Sequence, residues 1–253
     1  MKIENNGEVK EMLFNNSAIN IKFPKTENIK KKYILNSDIL SEKFNEATVL
    51  PIPDEAPNEI PRILIKSKGE HSQVNISPEA VSLETVYSDE YVKKWSLCEK
   101  YINSRVDDLM KLTERFSEGT YNYIGVVVNL FFDDIPRDGN KVLFRNLFGK
   151  EAKDTLDDLE VKYTYVENEK YYVNIILRSA KQFDDSLSGK AGDYNDDNLK
   201  LHTIVATIDI NDRYSYNSFK GYVSKKENFK EIMDLVSMVI NTKMGSLIER
   251  GDY

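Results

Sequence analysis

Aspartates at the ends of two strand-like segments are the first residues in this chain that could do chemistry. Asp133 and Asp134 follow one strongly apolar segment, and Asp209 and Asp212 flank the end of another. Carboxylates gathered at neighbouring strand ends can hold two divalent ions, as metal-dependent hydrolases require. Aspartate also ends strands because its side chain hydrogen-bonds to nearby backbone and favours turns. No histidine or lysine stands at a characteristic spacing from these aspartates, so the sequence predicts no metal site.

A second acidic segment, 193–204, partly matches a calcium-binding loop. Its alternating Asp and Asn oxygens fit the first ligand positions, but Asn198 stands where glycine is needed and Ile204 where a bidentate glutamate is needed. Just before it, Gly189 and Lys190 lack the first glycine and the following helix of a phosphate-binding loop. We therefore predict a solvated polar loop here, and no cofactor.

Nucleophilic catalysis would have to use one of two histidines or the single cysteine. His71 lies in a predicted turn, and His202 begins a predicted strand. Cys98 falls on the apolar stripe of a predicted helix, where burial makes a thiol unreactive. Because such mechanisms need a histidine held against its nucleophile, the sequence predicts no catalytic residue and favours a protein that is not an enzyme.

The elements that must position these residues follow from hydrophobic periodicity. Alternating apolar residues predict strands, and apolar residues about 3.6 positions apart predict helices. The first half is predicted as strand 18–23, a short helix within 36–44, a proline-rich connector 51–61, strands 62–67, 72–76 and 80–87, and a long helix 89–116. The second half is predicted as strand 121–132, helix 142–148, strands 159–166, 171–180 and 201–210, and a closing helix 225–248. A capping box, Ser224 to Glu227, is predicted to start the closing helix.

This order predicts an α+β protein built from two pseudo-repeated β-α-β-β-β-α halves, 1–118 and 119–253. Each long helix carries a single apolar stripe, which needs one opposing surface. We expect antiparallel sheets with the long helices packed on one face, and Trp95 on the buried stripe of the first long helix. Joining the two sheets edge to edge would protect two strand edges and produce one fused domain.

The composition of the chain excludes some classes of function. The chain has 253 residues, 35 basic and 42 acidic, with a net charge of −7. This acidic balance argues against broad nucleic-acid binding, because neutralising phosphates needs a concentrated basic surface. The chain has no apolar run long enough to cross a bilayer and no signal-peptide pattern at its start. Together with the single cysteine, this predicts a cytoplasmic protein with no membrane partner.

The order of features resembles a sporadically distributed bacterial family of uncharacterised soluble proteins of about 250 residues. The resemblance lies in residues 59–65, 69–76, the helix start from Tyr91 to Trp95, and the late strand 208–210 before the closing helix. It implies an architecture and no catalytic residues. The patchy distribution of that family implies a mobile-element or defence-associated gene.

The function predicted from the sequence is that of a non-catalytic binding or adaptor protein that self-associates or docks on a protein partner. The prediction depends on the two long apolar-striped helices, one of which carries Met233, Met238 and Met244. One alternative is a metal-dependent hydrolase or nuclease using the four strand-end aspartates. Another is a small-molecule sensor with a pocket between sheet and helices.

Overall fold

The computed structural model describes residues 2–5, 8–132, 139–184 and 189–250. Its strands are β1 (Lys2–Asn5), β2 (Glu8–Lys22), β3 (Thr48–Val49), β4 (Ile63–Lys66), β5 (Ser72–Ser77), β6 (Ala80–Val86), β7 (Tyr123–Phe132), β8 (Glu160–Glu167), β9 (Tyr171–Phe183) and β10 (Leu199–Asn211). Its helices are α1 (Ile29–Ile34), α2 (Asp89–Val92), α3 (Trp95–Ser117), α4 (Gly139–Phe148), α5 (Arg213–Ser218), α6 (Lys226–Met238) and α7 (Met244–Arg250). Two short 3-10 turns, Ser37–Leu40 and Asp196–Asn198, and a π-helical turn, Val239–Lys243, complete the described elements.

Nine strands form one antiparallel sheet in the order β3-β4-β5-β6-β2-β7-β10-β9-β8, and β1 forms a hairpin with β2. The predicted α+β class, with an antiparallel sheet and helices, is therefore confirmed. The first strand of the second half, β7, pairs directly with β2, so strands from both halves share one sheet. The buried apolar side chains of the two halves also form one continuous core.

Only one face of this sheet is covered by the core. Ile19, Val126 and Ile208 are at most 1% exposed, and so are the other apolar core-facing residues of β2, β7 and β10. Helices α3, α4, α6 and α7 supply the opposing apolar side chains. Most of the side chains that alternate with this core point the other way and are half-buried or exposed. We call this side the open face; its residues are Asn16, Ala18, Asn20, Ser82, Glu84, Val86, Tyr123, Val127, Asn129, Lys162, Thr164, Val166, Tyr172, Asn174, Ile176, Arg178, Val205, Thr207, Asp209 and Asn211.

Strand β2 begins ten residues before the predicted strand 18–23, and it contains a β-bulge. The β2–β7 register shifts between Phe14 and Asn16, which leaves Asn15 as an extra residue. The insertion changes the phase of the alternation. Phe14 before the bulge and Ile19 after it therefore both face the core, at 0% and 1% exposure.

The predicted helix 89–116 is divided into α2 and α3. Lys94 adopts extended backbone angles, φ −133° and ψ 96°, between them. Tyr91 of α2 is anchored near the sheet, because its ring stacks on Tyr87 at 6.3 Å and meets Tyr101 edge-on at 6.2 Å. The 23 residues of α3 span about 35 Å.

The predicted capping box of the closing helix is wrong. The hydroxyl of Ser224 hydrogen-bonds to the carboxylate of Asp212, and α6 begins at Lys226 with no side-chain cap.

The apolar side of the closing helix is unavailable for docking, because Met233 and Met244 are 2% and 0% exposed. Met233 and Met244 pack in the core, so the apolar side of the closing helix does not provide the docking surface predicted for it. Among the described helices, none has both the length and the apolar character needed to cross a bilayer.

Candidate functional site

Amide side chains on the open face hydrogen-bond to each other across neighbouring strands. Asn129 Nδ2 donates to Asn16 Oδ1 at 2.7 Å, and Thr207 Oγ1 donates to Asn129 Oδ1 at 2.5 Å. These residues are direct partners in the registers of β2, β7 and β10. Three short polar side chains are therefore held in one row across the middle of the sheet.

A second row surrounds the carboxylate of Asp209. Its Oδ1 accepts from Asn211 Nδ2 at 2.9 Å, and its Oδ2 accepts from Asn174 Nδ2 at 3.3 Å. Thr164 extends the row by donating to Asn174 Oδ1 at 2.9 Å. Burial raises the pKa of Asp209 above its usual value, although the two amide donors oppose this shift. We call these two sets of residues together the amide rows.

A glycine, Gly125, lies beside the second row. A Cβ at Gly125 would lie 3.0 Å from Asn211 Cβ, which is tighter than most real Cβ contacts, so Asn211 would have to shift to make room for a larger residue. Gly125 and Asn211 are direct cross-strand partners. The small residue therefore allows Asn211 to lie over β7 and reach Asp209.

Helix α5 adds an aromatic cluster at one end of the open face. The ring centres of Tyr216 and Tyr123 lie 5.8 Å apart, and the rings of Tyr214 and Tyr172 meet edge-on with their centres 5.4 Å apart. The Arg213 guanidinium lies 5.6 Å from the centre of the Tyr123 ring, which is within cation–π range. Two members of the cluster are clearly exposed, Tyr216 at 42% and Phe219 at 51%. We call this cluster the aromatic end; it consists of Tyr123, Tyr172, Arg213, Tyr214, Tyr216 and Phe219.

Asp212, one of the predicted metal candidates, has a different environment. It is completely buried, and four donors point at its carboxylate. These are the Ile124 amide at 2.6 Å, the Tyr222 hydroxyl at 2.8 Å, Asn228 Nδ2 at 2.8 Å and the Ser224 hydroxyl. A carboxylate surrounded by donors acts as a structural acceptor, here joining β7 to the start of α6.

The structure does not bring the four strand-end aspartates together among the residues it describes. Asp133 and Asp134 lie outside the described residues. Asp209 and Asp212 have separate hydrogen-bond partners, on the open face and in the interior. Within the described part of the chain, no group of three or more His, Cys, Asp or Glu side chains is placed to hold a metal ion.

The calcium-like segment is a capped turn followed by a strand. Asn195 Oδ1 accepts from the backbone amides of Asp197 and Asn198 at 3.0 and 3.2 Å, which caps the 3-10 turn. From Leu199 the chain continues as β10, so Ile204 belongs to the sheet. Residues 185–188 of the neighbouring polar segment lie outside the described residues.

A pocket of about 260 Å³ lies beside the α2–α3 break. Its lining includes three tyrosines and a histidine, Tyr87, Tyr91, Tyr101 and His71. Tyr87 is fixed by a 2.7 Å hydrogen bond to Ser17, and Tyr101 by a 2.6 Å hydrogen bond to Ser72. Burial raises the pKa of Tyr87 well above its usual value, so its phenol stays protonated. We call this site the tyrosine pocket.

The predicted burial of Cys98 is confirmed. The residue is 0% exposed, and its thiol donates to the Tyr91 carbonyl at 3.4 Å. Burial raises the pKa of the thiol to about 12, so it is not a thiolate at neutral pH. His202 is also buried, with its ring close to Gly139, where an added Cβ would lie 3.3 Å from the imidazole.

Sequence reasoning missed both the amide rows and the aromatic end. The available signal was the recurrence of Asn and Thr at the polar positions of predicted strands, such as Asn129, Asn174 and Thr207. Tyr214 and Tyr216 gave no periodic signal, because α5 has only six residues. The chain matches no protein-family model and no curated protein, and its resemblance to a sporadic bacterial family stays a prediction.

Proposed function

We propose that this protein is a non-catalytic binding or adaptor protein that docks on a protein partner and self-associates. The observation that supports docking is the exposed aromatic end beside the amide rows. Tyrosine and arginine are the residue types that most often dominate binding energy in protein interfaces, and Tyr216 and Arg213 occupy such positions here. The partner would contact these rings with apolar groups and place uncharged polar groups over the amide rows.

Preorganisation of the open face supports the same proposal. Side chains that are free in solution lose conformational entropy on binding, at roughly 0.5–1.5 kcal/mol for each ordered long side chain. Asn129 and Asn174 are already held by cross-strand hydrogen bonds, so docking over them immobilises little. An ordinary solvated sheet face needs no such ordering of its side chains.

We also propose that the two halves are pseudo-repeats. Counted outward from the β2–β7 junction, the sheet runs β2-β6-β5-β4 on one side and β7-β10-β9-β8 on the other. If β1 and β3 are omitted, each half has four strands. Numbered along the chain within its half, they occur in the sheet in the same order on both sides of the junction: first, fourth, third, second. This match supports a pseudo-twofold scaffold.

We further propose a cytosolic location, a reducing compartment that suits the single unpaired Cys98.

The docking proposal predicts that the double change Tyr216→Ala and Phe219→Ala weakens partner binding at least about thirtyfold, or about 2 kcal/mol. Both side chains are exposed, so their loss should leave the fold intact. A partner would be captured on the wild-type protein from lysate of the source organism, then purified. Its Kd would be measured calorimetrically against the wild type and the variant.

Phe148→Ala provides the matched control for this experiment. Phe148 is 50% exposed, close to the 51% of Phe219, but it lies on α4, which packs on the other side of the sheet. The control should bind with wild-type affinity. A Kd unaffected by the double change, or weakened equally by the control, would exclude the aromatic end as the docking surface.

The tyrosine pocket supports a second candidate function, a small-molecule sensor. Its volume of about 260 Å³ is just below the usual range for drug-sized ligands, so the ligand would be small. Faces of fixed tyrosine rings suit a flat aromatic ring or an alkylammonium cation.

This second proposal predicts that p-cresol or tetramethylammonium raises the melting temperature of the wild type, because a ligand bound by the folded state stabilises it. Tyr91→Ala should abolish the shift by removing one wall of the pocket. Tyr194→Ala, which changes a tyrosine that is 63% exposed elsewhere, is the control and should retain the shift. The absence of a shift with both compounds, or its survival in Tyr91→Ala, would count against the sensor.

A further inference from the structure

The last strand of the sheet, β8, presents a free edge. The strand has eight residues, whereas the opposite terminal strand, β3, has only two. Within the described part of the chain, β8 pairs only with β9. Its sequence is rich in Val, Thr and Tyr, which favour strands, and it contains no proline or bulge that would block a further strand.

The backbone groups that point outward from β8 follow from its pairing with β9. Ser179 N–H donates to the Leu159 carbonyl at 3.1 Å, and the register places Glu167 opposite Tyr171. Hydrogen-bonded positions alternate along an antiparallel pair, so the odd-numbered residues of β8 bond to β9. The free N–H and C=O groups therefore belong to its even-numbered residues, which are Glu160, Lys162, Thr164 and Val166.

We propose that β8 pairs with β8 of a second copy of this chain, around a twofold axis through Tyr163. This inference rests on the self-association part of the proposed function and identifies the partner as the chain itself. In this register Glu160 lies opposite Val166 of the other copy, and Lys162 lies opposite Thr164. The outward-pointing backbone N–H and C=O groups of all four even-numbered residues are then paired, which gives about eight hydrogen bonds between the two copies.

Side chains are compatible with this register. On the core side Tyr163 meets its own copy and Val161 lies opposite Tyr165, which are favourable aromatic and β-branched pairs. On the open side no two like charges are directly opposite. A twofold axis perpendicular to the sheet keeps both open faces on one side, so the dimer presents one continuous binding surface carrying two aromatic ends.

Changes at Thr164 test the register. Thr164→Lys would place a lysine directly opposite Lys162 at two symmetric positions, and we expect it to raise the dimer Kd at least about tenfold. Thr164→Glu would place opposite charges there, and we expect an unchanged or lower Kd. Both variants lose the same hydrogen bond to Asn174, so they form a matched pair.

The measurement is sedimentation equilibrium of the full chain at micromolar to tens of micromolar concentration. The wild type should show twice the 29.2 kDa chain mass. Adding Lys162→Glu to Thr164→Lys should restore the dimer, which a merely misfolded variant would not do. A monomeric wild type, or equal Kd values for the Lys and Glu variants, would overturn the β8 dimer. The Tyr216→Ala and Phe219→Ala changes alter no residue of β8, so a failure of partner docking would be distinguishable from a failure of the β8 dimer.

Discussion

Replacing Asp212 by alanine is expected to destabilise the protein by about 4 kcal/mol. The carboxylate is completely buried and accepts four hydrogen bonds, from Ile124, Tyr222, Ser224 and Asn228. Alanine would leave several of these donors unsatisfied, at roughly 1–3 kcal/mol for each one that finds no substitute. Asn228 still reaches Tyr222 and Ser224 at 2.7 and 3.2 Å, which limits the total loss.

Asp212→Asn should cost less, about 2 kcal/mol. Its Oδ1 can still accept from the Ile124 amide, and the hydroxyls of Tyr222 and Ser224 can turn from donating to accepting. Urea unfolding followed by circular dichroism would give the free energies. Asp234→Ala, at an exposed position of α6, is the control and should change stability by less than about 0.5 kcal/mol. A cost below about 1 kcal/mol for Asp212→Ala would contradict the structural role.

The environment of Asp212 shows which part of the site lay beyond sequence reasoning. Its side-chain partners lie 10 to 16 residues later in the chain, and the Ile124 amide lies 88 residues earlier. No local pattern encodes such a meeting. In the sequence, an aspartate at a strand end is equally consistent with a turn residue, a metal ligand or a buried hydrogen-bond acceptor. Only its neighbours in the tertiary structure distinguish these roles.

Local periodicity, in contrast, located most elements. The predicted strands 72–76 and 171–180 correspond to Ser72–Ser77 and Tyr171–Phe183. Every second residue is buried from Ser72 to Ile76 and from Tyr171 to Leu177, which is the two-residue periodicity of a strand with one buried face. The first half of β2 was missed because the bulge at Asn15 changes the phase of its apolar residues. The open face was missed because alternation predicts that one face is polar without showing how its side chains bond.

The proposed dimer and the proposed docking surface would reinforce each other. Pairing through β8 would place two aromatic ends on one assembly, so a partner with two matching sites would bind with an effective concentration set by the dimer geometry. Thr164→Lys would then weaken the capture of such a partner without altering Tyr216 or Phe219. Thr164→Lys would lower partner affinity only together with the loss of the dimer, whereas the changes at Tyr216 and Phe219 would lower partner affinity in a protein that still dimerises.

Replacing Trp95 by alanine is expected to cost about 3–5 kcal/mol, because it removes a large buried ring and leaves a cavity. Trp95 is 5% exposed, its ring lies 5.4 Å from that of Phe14 on β2, and its Nε1–H donates to Ser237 Oγ of α6 at 2.8 Å. The residue therefore joins α3, the sheet and α6. The predicted burial of Trp95 is confirmed, and the free energy of unfolding in urea, followed by circular dichroism, would measure its contribution.

A double-mutant cycle separates the ring from its hydrogen bond. Ser237→Ala keeps the ring but leaves the indole N–H without its acceptor, which should cost about 1–2 kcal/mol. Trp95→Phe keeps much of the apolar contact with Phe14, so it should cost less than Trp95→Ala. Combining Trp95→Phe with Ser237→Ala should cost less than the sum of the two single changes, because both remove the same bond. A cost below about 1 kcal/mol for Trp95→Ala would instead place the indole at an exposed surface, and would contradict its burial between the sheet and α6.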